Sequence, residues 1–157
     1  KLNLQHNFCI IMAGGVGSRF WPMSRTQKPK QFLDILHTGR TLIQSTYDRY
    51  LQFIPNENIY VVTSAEYAAI VKQQLPDLPV ENIFANPAAR TPLPVAYIAH
   101  KLQKINNDGL LICAPADHLI LDAPAFTKVC TDAFDFVNSI NALVTLGIKP
   151  TYANTGY

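Results

Sequence analysis

Arg19, Arg25, Lys28 and Lys30 follow three closely spaced glycines, Gly14, Gly15 and Gly17, and no Asp or Glu interrupts them before Asp34. Glycines at this spacing let backbone N–H groups turn toward one point and clear away side chains that would block a close approach. A chain cradles phosphate oxygens in this way. Cations clustered beside such a turn make a polyphosphate the leading ligand. The plainer alternative is a tight βα turn followed by a solvated basic loop. A second stretch, Cys113-Ala114-Pro115-Ala116-Asp117-His118-Leu119-Ile120, sets a carboxylate just past an apolar run. Asp117, held by Pro115, has the placing of an oxygen ligand for Mg²⁺ at a phosphate; the competing role is to cap the next turn. His118 is either a polar neighbour of that site or, more simply, a loop histidine. His6, His37 and His100 show no partner spacing and read as surface residues.

Familiar glycine loops fit poorly. Walker A requires Lys-Ser or Lys-Thr after its glycines, and none follows here. A dinucleotide fingerprint begun at Gly15 and Gly17 meets Phe20 where its third glycine belongs. Pro22 and Pro29 interrupt any helix leaving the turn, so Phe20 to Leu33 reads as a long, partly extended loop able to fold its cations over a ligand.

Elements that would hold these residues follow from the apolar pattern. Strands are expected at Phe8–Met12, Asn58–Thr63, Asn82–Ala85, Gly109–Ala114 and Ala142–Ile148. Helices are expected at Thr41–Phe53, Ala65–Leu75, Pro92–Ile105 and Ala123–Val137. The first should bury Leu42, Ile43, Thr46, Tyr47, Tyr50 and Leu51 on one face, and Ser64 suits the N-cap of the second. Turns are expected at Thr38-Gly39-Arg40 and Asn106-Asn107-Asp108-Gly109. Strands that alternate with helices and read as continuous apolar runs predict an α/β fold: a Rossmann-like, doubly wound, mainly parallel sheet with helices on both faces. Ligands of such sheets lie beyond the C-terminal ends of the strands. The glycine turn follows the first strand, Asn86-Pro87 the third and Asp117 the fourth.

The composition fits one globular domain with a real core: 157 residues, 48% hydrophobic and 15% charged. A net charge of +2 is too mild to call for nucleic acid or an anionic membrane, and the clustering of cations favours a small anionic ligand. No apolar run approaches the ~18–20 residues of a membrane span, and the N-terminus lacks the apolar core of a signal peptide. Cys9, Cys113 and Cys130 read as reduced, buried thiols of a cytoplasmic protein, with no cysteine pattern for structural zinc. The chain begins with Lys, as a trimmed chain would.

Residues Ala13 to Leu33, AGGVGSRFWPMSRTQKPKQFL, resemble the nucleotide-binding signature of sugar-phosphate nucleotidyltransferases. Trp21-Pro22, Ser24-Arg25 and Pro29-Lys30-Gln31-Phe32-Leu33 are most similar to the mannose-1-phosphate guanylyltransferases. PADH at Pro115–His118, VTLGI at Val144–Ile148 with Pro150, and Thr155-Gly156-Tyr157 also resemble that group. Pro87, Arg90 and Pro94 match the segment near base and ribose, whereas Asn86, Thr91, Pro92 and Leu93 depart from it. The plain reading of that segment is a loop with Pro92 at the first turn of a helix.

The resemblance implies a truncated nucleotide-diphospho-sugar transferase fold, with residues 1–157 the N-terminal nucleotide-binding portion of a single domain. It implies transfer from GTP to α-D-mannose 1-phosphate, giving GDP-mannose and pyrophosphate, with Mg²⁺ as cofactor. Ala13, Gly14, Gly15, Gly17, Ser18, Arg19 and Arg90 would bind the nucleotide, and Lys30, Gly156 and Tyr157 the sugar phosphate. Arg19, Lys30 and Asp117 would be catalytic, Asp117 as metal ligand, while Arg25 would hold the loop in shape. A second metal-binding carboxylate would lie beyond Tyr157, so this portion alone should be inactive or nearly so, with an exposed sheet edge that could drive self-association. Two alternatives stay open: the same chemistry on another base or sugar, and a non-catalytic nucleotide-binding module.

Overall fold

A computed structural model describes residues 6–15, 22, 24, 25, 28–86, 93–149 and 151–153. Among these, four parallel strands form one sheet: β1 (Asn7–Met12), β2 (Ile59–Thr63), β3 (Ile83–Ala85) and β4 (Leu110–Pro115), in the order β3-β2-β1-β4. Four α-helices accompany them: α1 (Leu42–Leu51), α2 (Ala68–Gln74), α3 (Leu93–Ile105) and α4 (Ala123–Ser139).

β1 is central and pairs on both sides, Cys9 with Ile59 of β2 and Asn7 to Met12 with Leu110 to Pro115 of β4. Its side chains alternate between two cores, as the pleat requires. Cys9 and Ile11 face Ile43, Tyr47 and Tyr50 of α1, Val71 of α2, and Cys130 and Phe134 of α4. Phe8 and Ile10 face Ile98 and Leu102 of α3. Ile10 and Ile11 are wholly buried, each worth about 1.5–3 kcal/mol of transfer from water. With both faces covered, the continuous apolar runs of β1 and β2 have their physical explanation.

The chain runs outward from β1 through β2 to β3, and α3 then carries it back across the sheet to β4 on the other side of β1. Strand order therefore reverses between β1 and β4, which makes their C-terminal ends the switch point where doubly wound sheets take ligands. The turn into β4 is tight. Asn106 accepts the N–H of Gly109 on its backbone oxygen (3.2 Å) and that of Asp108 on its side chain (3.1 Å). A Cβ at Gly109 would stand 2.8 Å from the Phe8 ring, so any side chain there forces the ring or the turn to shift.

Four expectations are corrected. Residues 142–148 form no strand; Ala142 is half-buried and the rest run exposed after α4, Leu143 fully and Ile148 at 81%. Their composition signals a demand for burial, but a strand also needs a ladder partner, and the described residues supply none. Cys113 is exposed rather than buried, because β4 is the edge of the sheet among the described residues and its faces are only partly covered. On α1, Leu51 is exposed and Arg49 is buried: Ile43, Thr46, Tyr47 and Tyr50 form the packed stripe, and Leu51 falls about 100° beyond its last member. Ser64 caps no α-helix. A 3₁₀ turn, Ala65–Tyr67, precedes α2, and the Ser64 hydroxyl donates to the Glu66 carboxylate at 3.3 Å. Smaller shifts of one or two residues affect most other element ends. His6 is half-buried, with its Nδ1 2.8 Å from the Asn106 amide, while His37 and His100 are exposed.

Candidate functional site

β1 ends at Met12, and the glycine turn starts at once. Ala13 is still anchored as if in the sheet, its N–H donating to the Val62 carbonyl at 2.7 Å. Its carbonyl accepts from the Thr63 hydroxyl (3.1 Å) and from the Gln31 amide (3.0 Å). The same Gln31 nitrogen donates to the Gly15 carbonyl at 2.8 Å. Gly14 is buried and Gly15 exposed, and a Cβ at Gly15 would project into open space. The turn thus presents an uncluttered backbone on its outer side while its carbonyls are held from within.

Gln31 sits in a single 3₁₀ turn, Lys30–Phe32, anchored by a fully buried Phe32. The Phe32 ring packs against Tyr67 with centroids 5.7 Å apart, and its carbonyl accepts from Gln74 at 3.1 Å. Gln74 is itself tied to α1: its carbonyl accepts from Gln44 (2.9 Å) and its side-chain oxygen from Thr41 (2.8 Å). Just before the 3₁₀ turn, the backbones of Arg25 and Lys28 bond reciprocally, at 3.3 and 2.9 Å, closing a small loop.

Asp117 comes from the other side of the switch point. Ala116 N–H donates to the Met12 carbonyl at 3.0 Å, extending the β1–β4 ladder by one rung. α1 reaches this loop from behind, through the Thr46 hydroxyl on the Ala116 carbonyl (3.4 Å) and Arg49 Nη2 on the His118 carbonyl (3.2 Å). Burial lowers Arg49 from the ordinary guanidinium value, and its guanidinium lies 5.5 Å from the Phe126 ring centre. With its loop fixed, Asp117 forms an ion pair through Oδ2 with Lys30 Nζ. Both side chains stay about a quarter exposed, at 26% and 22%, so solvent and ligands can reach them.

The structure thus brings together Ala13, Gly14, Gly15, Lys30 and Asp117 at the C-terminal ends of β1 and β4. Gly17, Ser18, Arg19, Arg90, Gly156 and Tyr157 lie outside the described residues. Asn86 follows β3, its N–H donating to the Thr63 carbonyl at 2.9 Å. The supporting polar residues, Gln31, Thr46, Arg49, Thr63 and Gln74, escape a search for chemistry-bearing types. Gln31 had two visible signals: its place in the Pro29–Leu33 motif, and its neighbours Phe32 and Leu33, apolar residues that draw it inward.

Chemically, the arrangement offers a backbone turn, a cation and a hard oxygen donor within one small region. No group of three or more metal-ligating side chains occurs among the described residues. One carboxylate nevertheless suits Mg²⁺, which keeps most of its waters and is commonly held by one or two carboxylates together with substrate phosphates.

A profile of the nucleotidyl transferase family matches residues 8–157. The mannose-1-phosphate guanylyltransferase RfbM of Salmonella typhimurium is 39% identical over 154 residues, and the mannose-1-phosphate guanylyltransferase of Escherichia coli K12 is 38% identical over 153. The alginate biosynthesis protein AlgA of Pseudomonas syringae is 39% identical over 152. Each match covers 94% of this chain but only 31% of the relative, so the chain spans about a third of their length. The crystal structure of a mannose-1-phosphate geranyltransferase from Thermus thermophilus superposes with a TM-score of 0.67 at 23% identity, over 84% of this chain and 38% of that one, showing the shared fold. The chain belongs to the nucleotidyl transferase family.

Proposed function

We propose that the full-length protein joins GTP and mannose 1-phosphate to give GDP-mannose and pyrophosphate. The observation that carries this reading is the meeting of Lys30 and Asp117 beside the glycine turn, at the point where strand order reverses. Family membership and the named relatives supply the substrate class.

In the proposed reaction a phosphate oxygen of the sugar phosphate attacks the α-phosphorus of the nucleotide in line. The bond from that phosphorus to the bridging oxygen breaks, and pyrophosphate leaves with the electron pair. The attacking oxygen is already anionic near neutral pH, so positioning and charge stabilisation carry the catalysis. Backbone N–H groups of the turn, Gly14, Gly15 and Gly17 among them, would hold the triphosphate, with Ala13 and Ser18 beside them and Arg90 toward the base. Arg19 would stabilise charge building on pyrophosphate. Lys30 would exchange its contact with Asp117 for the α-phosphate and the attacking phosphate. Gly156 and Tyr157 would contact the sugar phosphate. Asp117 would hold Mg²⁺, which offsets repulsion among phosphate oxygens when bound. Three free cysteines fit a reducing, cytoplasmic setting, and the edge that β4 forms among the described residues is the surface on which self-association would be sought.

Departures at Asn86, Thr91, Pro92 and Leu93 favour one second reading, the same transfer with another base or sugar. Pyrophosphate release by the full-length protein with Mg²⁺, across four nucleoside triphosphates and several sugar 1-phosphates, decides between them. Release confined to GTP with mannose 1-phosphate is expected. Release with a different pair moves the specificity, and no release from folded protein leaves a binding module.

A further inference from the structure

Gln31 is almost completely buried, at 3% exposure, yet its amide nitrogen reaches two carbonyls from the segment after β1, Ala13 at 3.0 Å and Gly15 at 2.8 Å. An amide nitrogen carries two hydrogens, so both bonds can be made at once. A trans peptide directs its N–H opposite to its C=O. The peptide that carries the Ala13 carbonyl also carries the Gly14 N–H, so holding that carbonyl fixes the direction of the Gly14 N–H as well. Gln31 also directly follows Lys30 in one 3₁₀ turn. One side chain thus ties the backbone of the glycine turn to the segment that carries Lys30.

We propose that Gln31 is a positioning residue for nucleotide binding, a clamp that holds the glycine turn and Lys30 in register. The proposal rests on the functional reading above. It assigns Gln31 no contact with substrate. A buried amide could hold a fold together without touching function, and the structure provides a matched comparison. Asn82 is also buried and donates from one amide nitrogen to two carbonyls, Glu57 and Ile59, both at 2.9 Å, but at the opposite end of the strands.

The test uses the full-length protein and two variants, Gln31→Met and Asn82→Ala. Methionine keeps the length and volume of glutamine and removes both donors. Gln31→Met should raise KM for GTP about tenfold, as loss of two modest hydrogen bonds implies, with a smaller rise in KM for mannose 1-phosphate, which meets Lys30 but not the glycine turn. Asn82→Ala should lower the thermal midpoint and leave both KM values within twofold of wild type. Calorimetric titration with GTP and Mg²⁺ reads the same geometry without turnover, and Gln31→Met should bind about tenfold more weakly. Equal GTP affinity and equal KM in wild type and Gln31→Met would overturn the clamp, as would an equal rise in both substrates' KM. A wild type that binds GTP but releases no pyrophosphate would sink the functional reading alone, leaving the clamp to be judged by affinity. A folded wild type that does not bind GTP overturns both.

Discussion

If Lys30 and Asp117 are held together for chemistry rather than for the fold, separating them should barely affect stability. Their ion pair is about a quarter exposed on each side. At an effective dielectric near 20, two unit charges about 4 Å apart attract by ~4 kcal/mol. Most of that is offset by lost hydration and by the entropy of fixing two flexible side chains; fully exposed pairs keep ~0.2–1 kcal/mol, and this part-buried pair should stand near the top of that range. Lys30 makes other interactions as well, so a single substitution reports more than the pair. A double-mutant cycle of Lys30→Ala, Asp117→Asn and the double variant removes the extra contribution. Urea unfolding of the ligand-free full-length protein should give a coupling below ~1 kcal/mol. Turnover should behave differently: Lys30→Ala should lose about 10²–10³ in kcat, by analogy with removal of one preorganised charge-stabilising donor. Asp117→Asn should blunt the response to Mg²⁺. A coupling above ~2 kcal/mol, outside the range of exposed pairs, with near-normal turnover in Lys30→Ala would refute the reasoning. The pair would then be a structural bolt.

Gly109→Ala should destabilise by about 1–3 kcal/mol, because the new methyl meets the Phe8 ring at 2.8 Å and the Asn106 carbonyl at 3.1 Å, so that the buried ring or the turn must shift; an unchanged urea midpoint would contradict the close approach. Stability should also fall at alkaline pH. Burial pushes the Cys130 thiol up to about 11, with Arg49 opposing, and burial raises Cys9 as well. The folded state then keeps protons that the unfolded state has released, so this contribution is complete below an unfolded value near 9.0 and is lost as pH rises through about 11. Urea midpoints at pH 8 and pH 10.5 should differ in that direction, and a midpoint that rises would refute the assignment.

The parts of the fold legible in the sequence were those set by burial on two faces. β1 and β2 are covered from both sides, so their continuous apolar runs announce them, and the glycine turn and Asp117 follow as the residues just past strand ends. Legibility failed where a neighbour decides the outcome. Residues 142–148 carry strand composition but lack a ladder partner among the described residues. Cys113 has an apolar neighbourhood in sequence and, among those residues, an edge position in space. Arg49 has a charged type and a buried site, because a carbonyl from a distant loop receives its guanidinium. None of these pairings leaves a local trace.

Dependence on distant neighbours also explains why the polar residues that sequence reading misses gather at the site. Along a parallel sheet the ladder satisfies each strand's carbonyls, but where neighbouring strands end and diverge it stops, and the last carbonyls are still buried. Met12 is served by the Ala116 N–H, the final rung. Ala13 has no further strand to receive from, so a hydroxyl from β2 and an amide from the 3₁₀ turn take over. Ala116 and His118 are met from α1 in the same way, by Thr46 and Arg49. Each of these side chains is buried, and each would be costly to bury without its carbonyl. The requirement that stitches the sheet's end closed thereby anchors the segments next to Lys30 and Asp117, so the candidate site at the switch point is held in place as a by-product of satisfying the backbone there.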